Sequence, residues 1–431
     1  MDIIIYRGTK EIGGTLIEVC TTSTRILIDA GYPLFLNNEP IADDVAKKPY
    51  SELLALKVLP DIKGLYAWDQ KDFDAVIISH AHIDHYGLLK YIHPSIPVYL
   101  SPGTETLIRI SQAFQICEKF ELDFRRFTMY EPFQIREFSV TPYLMDHSAY
   151  DAAAFEITAE GKTVLYSGDF RGHGRKAICL NRFIERAKKD ANILLTEGST
   201  LERAEERILT ETEIEETVIK RMEGLNVPLL FQCSSQNIDR LVSFYRAALR
   251  LKRKMVVDVY TANVLYELRK LGNNLPYPSS DYPNIKVFFP YRLTQKIFNE
   301  IGEEYAKQFS AYHISRRQLK EIQDRVVMLC RPSMHKDLEK SNLKNGVFMY
   351  SLWTGYRSSD YQQRFEKHLE KSGFSLEVLH TSGHATISDI QRVIQGLNSQ
   401  KIIPIHTLHP THFLSLSDRT DVKTDGVKFR V

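Results

Sequence analysis

The chain has little of several things, and each scarcity removes a class of function. Only five cysteines stand among 431 residues, at positions 20, 117, 179, 233 and 330, and no two form a CxxC pair. An odd, scattered set of this kind is neither a disulfide framework nor a thiolate zinc site, and it fits a reducing, cytoplasmic setting. Charge of one sign is scarce as well: 56 Lys and Arg against 54 Asp and Glu leave a formal net charge of +2. That balance excludes a general polycation that coats nucleic acid or anionic membrane, so any such contact must be local. No stretch approaches the roughly 18 apolar residues of a membrane span. The opening MDIIIYRGTKEIGG lacks a basic segment running into a long apolar one, so neither export nor membrane insertion is expected. Internal repeats and low-complexity tracts are absent too.

What remains is ordinary globular usage, 43% hydrophobic and 26% charged, on a chain long enough for two or three units with a sizeable core. Ile3 to Tyr6, Thr15 to Cys20 and Arg25 to Asp29 read as successive antiparallel strands, parted by Gly13-Gly14 and by Thr21 to Thr24. Further strands are expected at Asp74 to Ser79, Pro97 to Leu100, Ser139 to Leu144, Ala154 to Thr158 and Thr163 to Ser167, with helices between several of them. This is a layered α/β pattern. From about residue 200 the texture changes. The acidic run Glu202 to Lys220 suits a surface helix, and Pro228 to Gln232, Met255 to Val259 and Ile285 to Phe289 read as strands each followed by a helix, which predicts a parallel α/β unit. After Tyr356 come a helix, two strands at Ser375 to His380 and Lys401 to His406, and a helix between those strands.

The most informative stretch is His80-Ala81-His82-Ile83-Asp84-His85, directly after the apolar strand Asp74 to Ile78. Imidazole and carboxylate are the ligands that zinc and similar divalent ions take, and a catalytic site keeps part of the shell open for water. The HxHxDH spacing can serve two ions, with His80 and His82 turned to one and Asp84 and His85 to the other. His147 and Asp169 follow later strands and supply further ligands, Asp169 as the bridge. Asp29, at the end of an early strand, is expected to orient ligands rather than bind.

HxHxDH, the later histidine in DHSAY, the aspartate in YSGDF and the early strand-Asp-Gly segment resemble the metallo-β-lactamase superfamily in order and spacing. The resemblance implies an αββα sandwich with its metals at one sheet edge. The roughly 160 residues inserted after LLTEGST, and the motifs behind them, resemble the β-CASP nuclease branch, in which an inserted parallel α/β domain interrupts the sandwich. On this resemblance residues 1–204 and 363–431 form the metallo-β-lactamase domain and residues 205–362 the β-CASP domain. Glu197 matches motif A, His384 in TSGHA motif B, and His406 in IPIH motif C, where it is the seventh metal ligand. Histidine at motif C is the form of RNA-processing members, whereas DNA-repair members carry valine. The segment MYSLWTGY and the SGHA motif look like the ribonuclease J type, although Glu197 stands where that type commonly has aspartate.

The function so implied is a two-metal ribonuclease, exonuclease or endonuclease, with two divalent ions, zinc or manganese, and single-stranded RNA as partner. A homo-oligomer is left open. Asp84 serves the metal centre and is counted with the catalytic residues. His384, supported by Glu197, is suited to protonate the leaving ribose oxygen, since an imidazole near pKa ~6.5 beside a carboxylate can be protonated. Ser234, Ser235 and Asn237, which open a helix, are expected to meet a terminal 5′-phosphate together with Thr381, Ser382 and Gly383; an N-cap role for the serines stands equally. The basic stretch Arg246, Arg250, Lys252, Arg253 and Lys254 is either a solvated helix face or the side of an RNA path. A small-molecule ester, lactone or thioester hydrolase and a DNA nuclease stand as alternatives. A non-catalytic platform is disfavoured by the complete ligand set.

Overall fold

A computed structural model describes residues 1–36, 39–42, 44–201 and 208–431. The expected early strands form as Asp2–Arg7, Leu16–Cys20 and Arg25–Ile28, antiparallel to one another. They belong to a seven-stranded sheet that continues through Ala75–Ile77, Val98–Leu100 and Phe124–Arg126, with Lys428–Arg430 on its far edge. A second sheet of six strands runs Lys401–Ile405, Ile193–Glu197, Lys162–Tyr166, Ala153–Ala159, Phe138–Leu144 and Phe133–Ile135.

Alternation in these strands sends one set of side chains between the sheets. Ile3, Ile5, Ile17, Val19, Ile26 and Ile28 of the first sheet share one core with Val140, Phe155, Ile157, Val164, Ile193 and Ile403 of the second. The outer face of the second sheet is covered by helices Ile178–Arg186 and Ile387–Leu397, and that of the first by Pro102–Ala113. The result is the expected αββα sandwich.

A third sheet of six strands lies in the chain between Ile193–Glu197 and Lys401–Ile405, and every pairing in it is parallel. Its order is Ile285–Phe288, Lys254–Asp258, Val326–Leu329, Leu229–Gln232, Val347–Tyr350 and Ser375–Val378. Strands buried on both faces read as continuous apolar runs, which is why Leu229 to Phe231 and Val326 to Leu329 are fully covered. The surface helix expected over Glu202 to Lys220 begins later, at Glu211–Met222, where Thr210 and Glu213 form a capping box; residues 202–207 of that expectation lie outside the described residues.

One assignment is corrected. The strand at Ser375–Val378 pairs with Val347–Tyr350 in the third sheet, not with the sandwich. A four-residue strand carries no local sign of the sheet it joins, and here the neighbour is fixed by the helix Asp360–Lys371, whose Phe365 and Leu369 pack on the third sheet's outer face. We therefore propose that the chain returns to the sandwich near residue 379 rather than at 363. Among the described residues no helix is long and apolar enough to cross a membrane.

Candidate metal centre

All seven expected ligands meet at one end of the sandwich. Ala75–Ile77 ends just before His80, and the short helix Ile83–Tyr86 begins at once, so His80, His82, Asp84 and His85 turn inward over less than two helical turns. His147 follows the strand Phe138–Leu144, Asp169 follows Lys162–Tyr166, and His406 follows Lys401–Ile405 with φ +49. Their donor atoms group as His80, His82 and His147 on one side and Asp84, His85 and His406 on the other, each set within 4.8 Å. His82 Nδ1 is 3.1 Å from both His80 Nε2 and His147 Nε2. Between the sets stands Asp169 Oδ2, 3.8 Å from His80 Nε2, 3.2 Å from His85 Nε2, 3.9 Å from His147 Nε2 and 3.7 Å from His406 Nε2.

The ring tautomers are set from behind. Asp29, at φ +58, accepts from the Ser79 amide and hydroxyl at 2.7 and 2.8 Å, from Tyr166 Oη at 2.5 Å and from His85 Nδ1 at 2.8 Å. Because the Ser79 hydroxyl hydrogen goes to Asp29, its oxygen can only accept from His80 Nδ1, 3.0 Å away. His147 Nδ1 donates to the Gly383 carbonyl at 2.6 Å. In all three rings Nδ1 donates to a partner behind the site, so Nε2 is the atom that faces the centre and would ligate a metal. Ser79 and Tyr166, to which no sequence motif points, join Asp29 behind the ligand rings.

Divalent ions fit this donor set. His85 Nε2, His406 Nε2 and Asp169 Oδ2 are fully buried atoms with no hydrogen-bond partner, a costly arrangement unless something cationic lies among them. Burial disfavours the Asp169 carboxylate, yet His406 and His85 outweigh it and hold its pKa well below the usual range.

His384 stands outside the two sets of three, although its ring nitrogen lies within 4.8 Å of the His147 and Asp169 donor atoms. Its Nδ1 is 3.0 Å from Glu197 Oε2 and 3.7 Å from Asp169 Oδ2, and its side chain is 27% exposed. Burial opposes its protonation, but Glu197, with Asp169 and Asp84 behind it, pushes it up to about 9. Glu197 is fixed by the Phe170 amide at 2.8 Å and the Ser199 hydroxyl at 2.7 Å.

The expected phosphate-binding residues are engaged locally. Asn237 caps Ile238–Arg250 by accepting from the Arg240 amide at 3.1 Å, Ser234 accepts from Gln236 at 3.2 Å, and Ser235 shares its hydroxyl with Thr261 and Arg331, both at 2.7 Å. Ser382 accepts from the His384 amide at 3.0 Å, and Thr381 donates to Leu209. The two groups are nonetheless neighbours, since Arg240 of the capped helix reaches the Thr381 carbonyl at 3.2 Å. In the basic stretch, Arg246 and Arg250 pair with Glu215, Arg253 donates to the Val227 and Leu225 carbonyls, and Lys254 meets Asn284. These contacts favour its structural reading.

This sandwich with this centre has the form of a metallo-β-lactamase domain. A family model for the β-lactamase superfamily domain matches residues 24–222, and one for a Zn-dependent metallo-hydrolase RNA specificity domain matches residues 375–412. The chain is also similar to ribonuclease J. It is 24% identical to that of Sinorhizobium meliloti over 81% of this chain and 60% of the relative, and 20% identical to that of Mycoplasma genitalium over 94% and 67%. The chain thus spans about three fifths to two thirds of the length of these relatives. A solved structure of a protein of unknown function from Enterococcus faecalis V583 superposes with a TM-score of 0.79 at 20% identity, covering 99% of each chain; it speaks to fold alone.

Proposed function

We propose that this protein is a metal-dependent ribonuclease that hydrolyses RNA phosphodiesters at the His80 to His406 centre. The observation that carries the reading is the match of residues 375–412, which include His384 and His406, to an RNA specificity domain. The similarity to ribonuclease J over most of the chain points the same way.

His80, His82 and His147 would hold one divalent ion, zinc or manganese, and Asp84, His85 and His406 a second, with Asp169 between them. Such ions act as Lewis acids toward a phosphoryl oxygen and lower the pKa of water from 15.7 to ~7. The protein's own residues do the rest. Asp29 and Ser79 keep His85 and His80 in the ligating tautomer, so the centre forms without reorganisation. Glu197 holds His384 Nδ1, leaving the protonated ring to deliver its other proton from Nε2 to the departing ribose oxygen. Its partial exposure fits a group that must meet a polymer from solvent.

The seryl turn Ser234, Ser235 with Asn237 and the loop Thr381 to Gly383 adjoin one another, which supports a pocket for a terminal 5′-phosphate and hence 5′-to-3′ removal of nucleotides. Lactone and thioester hydrolysis needs neither His384 nor Glu197. The test is an assay of the metal-supplemented protein on end-labelled single-stranded RNA and DNA, with lactone and thioester substrates alongside and product sizes read. Cleavage of RNA in preference to the others is expected; turnover of a small ester with RNA untouched would overturn the reading.

A further inference from the structure

Three consecutive carbonyls just before His384 are each held by a buried basic side chain. Arg240 Nη2 donates to that of Thr381 at 3.2 Å, and Arg171 Nη1 to that of Ser382 at 3.2 Å. His147 Nδ1 donates to that of Gly383 at 2.6 Å, and His173 Nε2 adds a second bond to Ser382 at 2.9 Å. Gly383 packs so closely that a Cβ there would lie 2.6 Å from Ser148 Oγ and 3.3 Å from His147 Cε1. The loop therefore has no freedom of its own, and His384 goes where these carbonyls are put.

The two guanidiniums come from opposite domains. Arg171 lies in the sandwich and Arg240 on Ile238–Arg250 of the insertion, and both are fully buried. Glu211, the first residue of Glu211–Met222, joins them, 3.4 Å from Arg171 Nη1 and 3.1 Å from Arg240 Nη2. Arg171 also meets Asp146 at 3.2 Å and Asp239 at 2.7 Å. Asp146, Glu211 and Asp239 already supply three carboxylates for two cations, so the two positive charges are matched without the loop. The bonds to Thr381 and Ser382 add geometry, and two fully buried arginines are otherwise an expensive way to join two domains.

We propose that Arg171 and Arg240, joined through Glu211, are positioning residues that set the loop Thr381 to Gly383 and with it the placement of His384 against Glu197. The inserted domain thereby takes part in holding the site's proton donor. The inference rests on the reading of His384 as general acid. An arginine fork reaches a carboxylate and a carbonyl at once, whereas lysine keeps the charge but has one point of contact. Arg→Lys therefore isolates geometry from charge.

The experiment compares the full, metal-loaded chain with its Arg171→Lys, Arg240→Lys and His384→Ala variants. The ¹⁵N signals of the His384 ring, assigned by their loss in His384→Ala, report its hydrogen bond to Glu197 directly. Each lysine variant is expected to shift those signals and to lower kcat on RNA by ~10²-fold, the cost of misplacing a reacting group by about 1 Å. KM should change little. Turnover of a nitrophenyl phosphodiester, whose leaving group departs without a proton, should be nearly unchanged. Unmoved His384 signals, equal losses on both substrates, or unfolding of both lysine variants would reduce the network to a scaffold and overturn the proposal. If the wild-type chain does not cleave RNA, the ribonuclease reading fails while the ring signals still decide the positioning role.

Discussion

His384 Nδ1 faces Glu197 Oε2 at 3.0 Å, and Glu197 is itself anchored through its other oxygen by the Phe170 amide at 2.8 Å. The strand Ile193–Glu197 ends at that carboxylate, and the helix Ile387–Leu397 begins just past the histidine, so two rigid elements fix the pair. The same edge of the second sheet delivers Asp169 and His406. Asp169, Glu197 and His406 are thus registered by one set of parallel strand pairings.

From this arrangement His384→Ala should keep its fold and its metals while RNA cleavage falls ~10²–10⁴-fold, the usual loss for one positioned general acid. Glu197→Gln should fall in the same direction, since the carboxylate stabilises the protonated ring. Parallel steady-state assays on RNA and on a nitrophenyl phosphodiester check this. Equal losses on the two substrates would assign His384 to phosphate or metal binding instead.

Metal content gives the second prediction. The purified chain should carry close to two divalent ions, and His406→Ala should lose one selectively, because its Nε2 belongs to the Asp84 and His85 set while the His80, His82 and His147 set is left intact. Elemental analysis of both proteins reads the stoichiometry. Chelation should also lower the melting temperature, as an ion held at 100 times its Kd contributes ~2.7 kcal/mol to the folded state. Two tightly bound ions in the variant would remove His406 from the ligands.

The candidate ligands were legible in the sequence because metal binding demands particular residue types within a few positions of a strand end, and HxHxDH meets that demand in six residues. The sequence could not show the clamp on the His384 loop. Arg171 and Ser382 are 211 positions apart and Arg240 and Thr381 are 141 apart, and an isolated arginine after YSGDF has no local pattern to mark its partners. The return strand Ser375–Val378 was misplaced on similar grounds: its period announces a strand, but only the packing of Asp360–Lys371 decides which sheet receives it. Ser235 and Thr381, expected near a terminal phosphate, have hydroxyls engaged within the protein, as burial requires of each.

End chemistry supplies the third prediction. If the turn at Ser234 and the loop at Thr381 receive a terminal phosphate, RNA with a 5′-monophosphate should be degraded faster than the same RNA with a 5′-hydroxyl, releasing single nucleotides. Time courses on the two labelled forms, resolved by length, make the comparison. Equal rates with internal fragments would leave the pocket unsupported and favour endonucleolytic cleavage.

The last prediction concerns pH. Burial pushes the Glu11 carboxyl up to about 7, although Arg7, 3.3 Å away, pulls the other way. Asp425, itself raised by burial, adds to the rise. A carboxyl whose folded pKa is raised binds its proton more tightly folded than unfolded. Its contribution is therefore fully present below the unfolded value of ~4.5 and declines as pH climbs through 7, where the folded state must hold a buried charge. Glu11→Gln removes that charge while keeping the shape. The variant should melt at a higher temperature than the wild type at pH 8 and show little difference at pH 5. Thermal melts at the two pH values under constant salt and metal test this, and a gain confined to pH 5 would reverse the sign and refute the burial argument.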